Sequence, residues 1–317
     1  MYEAIKKFSE QFSFEPKIEN TAALGSYKKF LIAGMGGSNL AAGLLQIAHP
    51  ELDIIPHRSY GLPEHSGDRL IIASSYSGNT EETIDAFETA LKRNQPLAVI
   101  SAGGKLIDRA KEQMIPYIQI PNTGIQPRSA LGFNTRALAK IMQHDAIVQE
   151  LASVPTLLAA EQAEKEGKAL AEHLQTMVPV IYSSQANFPI AYNWKIKFNE
   201  TGKIPAWANV FPELNHNEMT GFDRIDSTRS LSEKLSFVFL HDPADHPKIQ
   251  QRMEVTQKVY EDRGLPVTVL ELKGSPWEKI FNSLLTADWT AYYTAEHYGA
   301  QAEQVPMVEE FKKLIKN

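Results

Sequence analysis

Short apolar runs alternate with stretches of helical periodicity along most of this chain, starting with KFLIAG at residues 29–34. A run such as RLIIASS (69–75) is apolar at successive positions, as expected of a strand buried on both faces. In TEETIDAFETALKRN (80–94), by contrast, the apolar residues recur every three or four positions, which indicates a helix. Such alternation predicts an α/β fold with parallel sheets covered by helices on both faces, a three-layer αβα arrangement. The other predicted strands are 52–57, 96–101, 117–121, 178–184, 235–242 and 266–274, and the other predicted helices are 39–48, 105–113, 135–150, 155–176, 186–200, 246–263 and 276–298.

The alternation is interrupted once, by the turn-rich segment NTGIQPRSALGFN at residues 122–134. Two helical segments follow it, and strands resume at residue 178. A chain of 317 residues suits two domains of ordinary size. We therefore predict two α/β halves, residues 1–150 and 151–317, joined by a helical connector.

Composition excludes several classes of function. A formal net charge of −6 argues against a general binder of nucleic acid or of acidic membranes. The absence of cysteine excludes disulfides, thiolate zinc sites and cysteine nucleophiles, and it fits a cytoplasmic location. The N-terminus lacks the apolar core of a signal peptide, and no apolar run approaches the roughly 20 residues of a membrane span. We expect a cytoplasmic protein with neither nucleic-acid nor membrane partners.

A glycine-rich turn, GMGGS, follows the first predicted strand. Its spacing does not match a dinucleotide fingerprint, because Asn39 stands where the third glycine would be, and the turn has no Walker lysine. Two interpretations remain. In the first, the glycines merely permit a tight turn with positive φ. In the second, their backbone N–H groups also bind an anion at the start of the next helix.

A second turn, SSYSGNTEET, follows the strand at residues 69–75. The carboxyl ends of parallel strands meet at one sheet edge, which is where open α/β sheets bind ligands. Ser75, Ser77 and Thr80 supply three hydroxyl groups there. Thr80 followed by Glu81 and Glu82 would also be a good helix cap, but a cap uses only one hydroxyl. Because the turn has no basic side chain, the pair of turns favours a phosphate monoester on a small molecule.

Three further residues are candidates for chemistry. Arg128 lies in the turn-rich segment, where a surface arginine is the alternative interpretation. Glu200 ends a predicted helix, and the negative end of the helix dipole disfavours an ionised carboxylate, as suits a general base near neutral pH. An ordinary exposed glutamate is the alternative there. His216 stands between two asparagines in FPELNHNEMTGF.

The two turns resemble the phosphosugar-binding loops of the sugar isomerase (SIS) domain. QPRSALGF, the NE of FNETGK, FPELNHNE and the closing DWTAYYTAEHYG resemble signatures of the bifunctional phosphoglucose/phosphomannose isomerases, and this likeness extends over almost the whole chain. The resemblance implies two SIS-like subdomains, no cofactor and no metal. It also implies that glucose 6-phosphate and mannose 6-phosphate are interconverted with fructose 6-phosphate through a cis-enediol(ate).

The resemblance further implies a role for each candidate residue. Arg128 would stabilise the enediolate, and Glu200 would move the proton between C2 and C1. His216 would assist ring opening from the other subunit of a homodimer. The phosphosugar would be bound by Gly36, Gly37, Ser38, Ser75, Ser77 and Thr80, the hydroxyl groups mainly holding its phosphate.

The last predicted helix carries two further substrate-contact candidates. Thr290 aligns best with a family threonine associated with accepting both C2 epimers, although a packing role is an equal alternative. A family lysine is expected on the same face, and His297 stands there, two turns from Thr290. Either His297 replaces that lysine and makes activity more dependent on pH, or the alignment of this helix is shifted.

Three rival functions are less well supported. A metal-dependent phosphomannose isomerase needs clustered ligands, whereas His49, His57 and His65 are scattered near predicted loops. A ketose-phosphate aminating synthase needs an ammonia source, commonly a glutaminase domain with a cysteine nucleophile, and the chain has neither. A non-catalytic phosphosugar sensor would need the two turns but not Arg128, Glu200 or His216.

Overall fold

The computed structural model describes residues 1–223 and 225–315. These residues form two compact units. The first unit is Lys6–Leu158, and the second combines Met1–Ile5 with the chain from Ala159 onward. The boundary predicted near residue 150 falls inside a helix, Asp145–Ala152, whose apolar side chains are buried.

The first unit contains a five-stranded sheet in which every strand pairing is parallel. Two of the three interior strands, β3 (Leu70–Ser74) and β4 (Leu97–Ser101), are buried along their whole length, as predicted for strands covered on both faces. The chain moves outward in opposite directions from the neighbouring strands β1 and β3, so the topological switch point lies between them. The strands are β1 (Lys29–Ala33), β2 (Asp53–His57), β3 (Leu70–Ser74), β4 (Leu97–Ser101) and β5 (Tyr117–Gln119), in the order β2-β1-β3-β4-β5.

Helices flank this sheet. One core cluster joins the strands to apolar residues of two helices, among them Phe87 and Ile107. The helix predicted over 135–150 is instead two helices, because Gln143 takes a left-handed conformation (φ 63°) between them. The helices of this unit are α2 (Gly37–Ala48), α3 (Glu81–Lys92), α4 (Gly104–Glu112), α5 (Leu131–Ile141) and α6 (Asp145–Ala152); α1 (Tyr2–Lys6) begins the chain.

The second unit contains a four-stranded sheet, also parallel throughout. One face of this sheet packs into an aromatic core that includes Tyr182, Phe237 and Tyr260. Ile181 and Val238, whose side chains point to the opposite face, are also buried, so the sheet is covered on both sides. The strands are β6 (Val178–Ser184), β7 (Trp207–Phe211), β8 (Leu235–His241) and β9 (Val267–Glu271), in the order β7-β6-β8-β9.

Of the six helices described between residues 159 and 315, four were predicted, and the short α9 and the terminal α12 were not, nor was strand β7. None of the helices within residues 1–223 and 225–315 combines the length and apolar character of a membrane span. The helices are α7 (Ala160–His173), α8 (Phe188–Glu200), α9 (Glu218–Gly221), α10 (Pro247–Glu261), α11 (Pro276–His297) and α12 (Pro306–Leu314).

Candidate active site

Three hydroxyl groups cluster in the loop between β3 and α3. The Ser75 hydroxyl lies 2.8 Å from that of Thr80 and 3.5 Å from that of Ser77. Thr80 precedes the helix in an extended conformation, but its side chain does not cap the helix. The alternative interpretation of Thr80 as a simple cap is therefore wrong, and the loop presents a compact group of hydroxyls beside the free N–H groups of α3.

The glycine turn after β1 lies directly beside this hydroxyl loop. Gly36 has a positive φ of 49°, and α2 begins at the next residue. The Ser38 hydroxyl accepts a hydrogen bond from the backbone N–H of Tyr76 (2.9 Å). The side chain of Ser74 in turn donates to the Ser38 carbonyl (3.3 Å). The two turns therefore meet at the switch point, as predicted from their places in the sequence.

Arg128 is brought to the same edge by a short 3-10 helix, Pro127–Ser129. A Cβ on Gly37 would lie 2.5 Å from the Pro127 carbonyl oxygen, so only glycine permits this close approach. The side-chain amide of Gln11 fixes the other side of the segment, donating to the Ser129 carbonyl (2.7 Å) and accepting from the Gly132 N–H (2.9 Å). Arg128 is only 1% exposed, which contradicts the interpretation of it as a surface arginine.

Arg58 also lies at this edge, and sequence reasoning missed it. Its Nε donates to the Asn39 side-chain oxygen (2.7 Å) in the first turn of α2. Asn39 is fully buried and donates to the carbonyl of Ile32 (3.0 Å). The available signal was the position of Arg58, immediately after the strand 52–57 that pairs with β1.

Glu200 is the last residue of α8, as predicted, and it is half-buried. The helix closes with hydrogen bonds from the N–H groups of Thr201 (2.9 Å) and Gly202 (3.0 Å) to the Lys197 carbonyl. The Lys203 ammonium donates to the Glu200 backbone carbonyl (2.5 Å). This cation satisfies one of the carbonyl groups that a helix end leaves without a partner.

The segment after β7 that carries His216 is held by polar contacts on both sides of it. The carboxylate of Glu218 accepts hydrogen bonds from the Tyr182 hydroxyl and the Asn209 amide. The Asn215 amide donates to the Thr256 hydroxyl (2.9 Å).

The pKa of Tyr182 is raised above its ordinary value, mainly by burial and in addition by the neighbouring Tyr260 and Glu218. Its hydroxyl therefore stays protonated and can donate a hydrogen bond. His216 itself is exposed. A firmly anchored segment thus presents an exposed imidazole.

The two candidates on α11 differ in environment. Thr290 is fully buried, and its hydroxyl donates to the Thr286 carbonyl one turn earlier (2.7 Å). Its backbone N–H closely approaches α7, where a Cβ on Gly167 would lie 2.9 Å from it. His297 is the last residue of the helix and is exposed, with its ring centroid 4.8 Å from that of Tyr298.

The first unit therefore brings together the glycine turn, the hydroxyl loop and Arg128. The second unit holds Glu200 at the end of α8, His216 in the segment after β7, and both Thr290 and His297 on α11. Among the residues that the structure describes, no three His, Asp or Glu side chains form a group that could hold a metal ion. The roles of these residues remain predictions.

Comparison with known proteins places these features in context. A family model described as "Bacterial phospho-glucose isomerase C-terminal SIS domain" matches residues 163–315. The chain is 31% identical over 330 residues to the bifunctional phosphoglucose/phosphomannose isomerase of Aquifex aeolicus, which covers 100% of this chain and 98% of that protein. It is 32% identical over 318 residues to the protein of the same name from Thermoplasma acidophilum, covering 99% of this chain and 96% of the relative.

The fold is also found in solved structures. Tagatose-6-phosphate ketose/aldose isomerase from Escherichia coli aligns with a TM-score of 0.69 at 14% sequence identity, over 95% of this chain and 93% of that one. At this identity the likeness shows the fold alone. Each of the two units is thus a parallel sheet flanked by helices, in an arrangement shared with a phosphosugar isomerase.

Proposed function

This chain belongs to the family of bifunctional phosphoglucose/phosphomannose isomerases, and we propose that it is a metal-independent aldose–ketose isomerase. Its substrates are glucose 6-phosphate and mannose 6-phosphate, both interconverted with fructose 6-phosphate, and it uses no cofactor. Its expected location is the cytoplasm.

The observation that carries the proposal is the hydroxyl loop at the switch point beside a buried arginine. The hydroxyls of Ser75, Ser77 and Thr80 and the first N–H groups of α3 suit a phosphate monoester. A Cβ on Gly36 would meet no atom within 4 Å, so there is open space for the sugar beside this turn, which continues through Gly37 and Ser38. Arg128, buried against Gly37, favours the enzyme over a phosphosugar sensor, since binding alone does not need a fixed cation beside the sugar.

The reaction is a proton transfer between adjacent carbons. After ring opening, the Glu200 carboxylate takes the proton from C2 of the aldose. The electron pair of that C–H bond forms the C1–C2 double bond, and the aldehyde oxygen becomes an enediolate oxygen that Arg128 stabilises. The protonated Glu200 then returns the proton to C1, while the hydroxyl proton on O2 moves to O1, which leaves the C2 ketone. Glucose and mannose 6-phosphates differ only at C2, so one base serves both when the site tolerates either epimer. Thr290 is fully buried and its hydroxyl donates to the Thr286 carbonyl, so it would affect this tolerance through packing and not by contact with the substrate.

A homodimer with shared sites completes this proposal. His216 is exposed at the surface of its unit while its segment is anchored by Glu218 and Asn215. An imidazole presented in this way suits a contribution to the site of a second subunit, where it would open the sugar ring.

Exchange of substrate hydrogen with solvent tests the proposal. In heavy water the wild-type protein should introduce deuterium at C1 of fructose 6-phosphate and at C2 of the aldoses, as followed by NMR. Glu200→Gln should slow this exchange by at least about 10²-fold, because the general base is lost. Glu172→Gln, which alters an exposed glutamate near the C-terminus of α7, serves as the control. Full exchange in Glu200→Gln would overturn the mechanism, and binding of sugar phosphate without any exchange in the wild type would support a sensor.

A further inference from the structure

A buried ion pair joins the two helices of the second unit that carry Glu200 and Thr290. The ammonium of Lys197 on α8 lies 2.6 Å from the carboxylate of Asp288 on α11. Lys197 is fully buried and Asp288 is 5% exposed. Neither residue has a role in the proposed reaction.

Stability alone explains this pair poorly. Removing two charges from water costs free energy that their attraction often fails to offset, and apolar residues of similar volume are frequently as stable or more so. Other contacts already join the same helices. The indole N–H of Trp194 donates to the Ser283 hydroxyl (2.9 Å), one turn before the ion pair.

The ion pair lies in the last turn of α8, which ends at Glu200. The carbonyl of Lys197 accepts the two hydrogen bonds that close α8, from the N–H groups of Thr201 and Gly202. Beyond the turn, a Cβ on Gly202 would lie 3.5 Å from the Ala291 carbonyl oxygen, so the end of α8 also approaches α11 closely. Lys197 is therefore fixed to α11 at its side chain and to the end of α8 at its backbone.

We propose that the Lys197–Asp288 ion pair is a positioning device that holds the Glu200 carboxylate at the angle and depth required for proton transfer. This inference rests on the proposed function. A carboxylate that must reach both C1 and C2 is sensitive to small displacements, because misplacement by about 1 Å can cost about 10²-fold in rate. The pair transmits its effect through the backbone of α8 and does not contact the substrate.

The test removes both charges and compares the result with a matched ion pair. Lys197→Met/Asp288→Asn is made beside Lys279→Met/Asp242→Asn, which removes a second ion pair of α11, between the half-buried Lys279 and the buried Asp242. For both variants, kcat, KM and the deuterium isotope effect on kcat are measured, the last with glucose 6-phosphate deuterated at C2. We expect the first variant to lose at least about tenfold in kcat with KM nearly unchanged, and to show a larger isotope effect than the wild type. The control variant should keep the kcat and the isotope effect of the wild type.

The isotope effect keeps the test decisive even for a partly folded variant, since it does not depend on how much enzyme is active. A lower kcat with an unchanged isotope effect would mean that the pair is merely structural. An unchanged kcat in Lys197→Met/Asp288→Asn would also overturn the positioning role while leaving the proposed function intact. A wild-type protein with no isomerase activity would overturn both.

Discussion

Arg128 is a cation whose surroundings were built to keep it in one place. Gln11 and Gly37 hold its backbone segment from two directions, and its side chain is almost wholly buried. A buried guanidinium costs free energy unless charged or polar groups compensate it. We propose that Arg128 is retained despite this cost because it lies beside two turns that suit an anionic sugar.

Replacing Arg128 with lysine should lower kcat by about 10²-fold with a smaller change in KM, because lysine keeps the charge but loses the planar fork that fits an enediolate. Steady-state kinetics on fructose 6-phosphate measure this. Arg136→Lys is the control, since Arg136 is equally buried in the same unit but donates to the carbonyls of Phe14 and Val148. It should lower stability and leave kcat per folded molecule unchanged. Equal kcat in Arg128→Lys and wild type would argue against an electrostatic role.

At the scale of elements, we propose that the loop between β3 and α3 sets the affinity for the phosphate group of the substrate. Thr80→Val keeps the shape of the side chain and removes one hydroxyl from the cluster. Because a hydrogen bond to a charged group contributes about 1.5–3 kcal/mol, KM should rise by at least about tenfold with little change in kcat. Thr83→Val on the same helix is the control, since the buried Thr83 hydroxyl has no hydrogen-bond partner among the described residues. A KM that changes equally in both variants would contradict the assignment.

The loop after β8 has a different character from the loop after β3. Asp242 is paired with Lys279, and the Asn187 amide donates to it (2.9 Å). Burial raises the pKa of neighbouring Asp245, and the charge of Asp242 raises it further. The equivalent edge of the second sheet is thus acidic and internally paired, unlike the hydroxyl-rich edge of the first.

Asp245→Asn should therefore stabilise the protein at neutral pH. A carboxyl with a raised pKa favours the folded state below its unfolded pKa, and that advantage is lost as pH rises through the folded pKa. Asparagine stays neutral, so its benefit should be present at pH 7 and vanish in acid, where Asp245 is protonated. Thermal unfolding at both pH values measures this. Equal melting temperatures at pH 7 would contradict it.

Helices and strands with a pronounced hydrophobic period could be predicted from the sequence. Elements whose bounds depend on local backbone conformation or on burial by distant residues could not. Strands such as β3 and β4 are continuously apolar and were predicted. Strand β7 (WANVF) has only one buried position, the others being exposed or half-buried, so its hydrophobic pattern is weak. The break between α5 and α6 depends on the left-handed conformation of Gln143, which hydrophobic periodicity cannot predict.

The candidate site, like the fold, could be predicted only in part from the sequence. Adjacency of the two turns follows from parallel topology, and it was confirmed by the contact between Ser38 and Tyr76. The burial of Arg128 was not predictable, because it depends on Gln11, which is distant in sequence. The contact between Arg58 and Asn39 likewise depends on how β2 lies beside β1.

At the scale of the whole molecule, the proposed homodimer shares its catalytic residues between subunits. Mixing inactive Glu200→Gln and His216→Ala proteins, with subunit exchange, should then restore activity. In a mixed dimer one site has both wild-type residues, so random pairing should return about a quarter of wild-type activity. Each variant mixed with itself is the control. No recovery after demonstrated exchange would place His216 and Glu200 in the same subunit.

The central claim is that one site isomerises both aldose phosphates. Its most direct test is a coupled assay of fructose 6-phosphate formation from glucose 6-phosphate and, separately, from mannose 6-phosphate, with purified protein treated with a chelator. We expect turnover of both substrates, each inhibited competitively by the other and each lost in Glu200→Gln. Turnover of only one epimer would contradict the bifunctional assignment, and turnover of neither would contradict the isomerase itself.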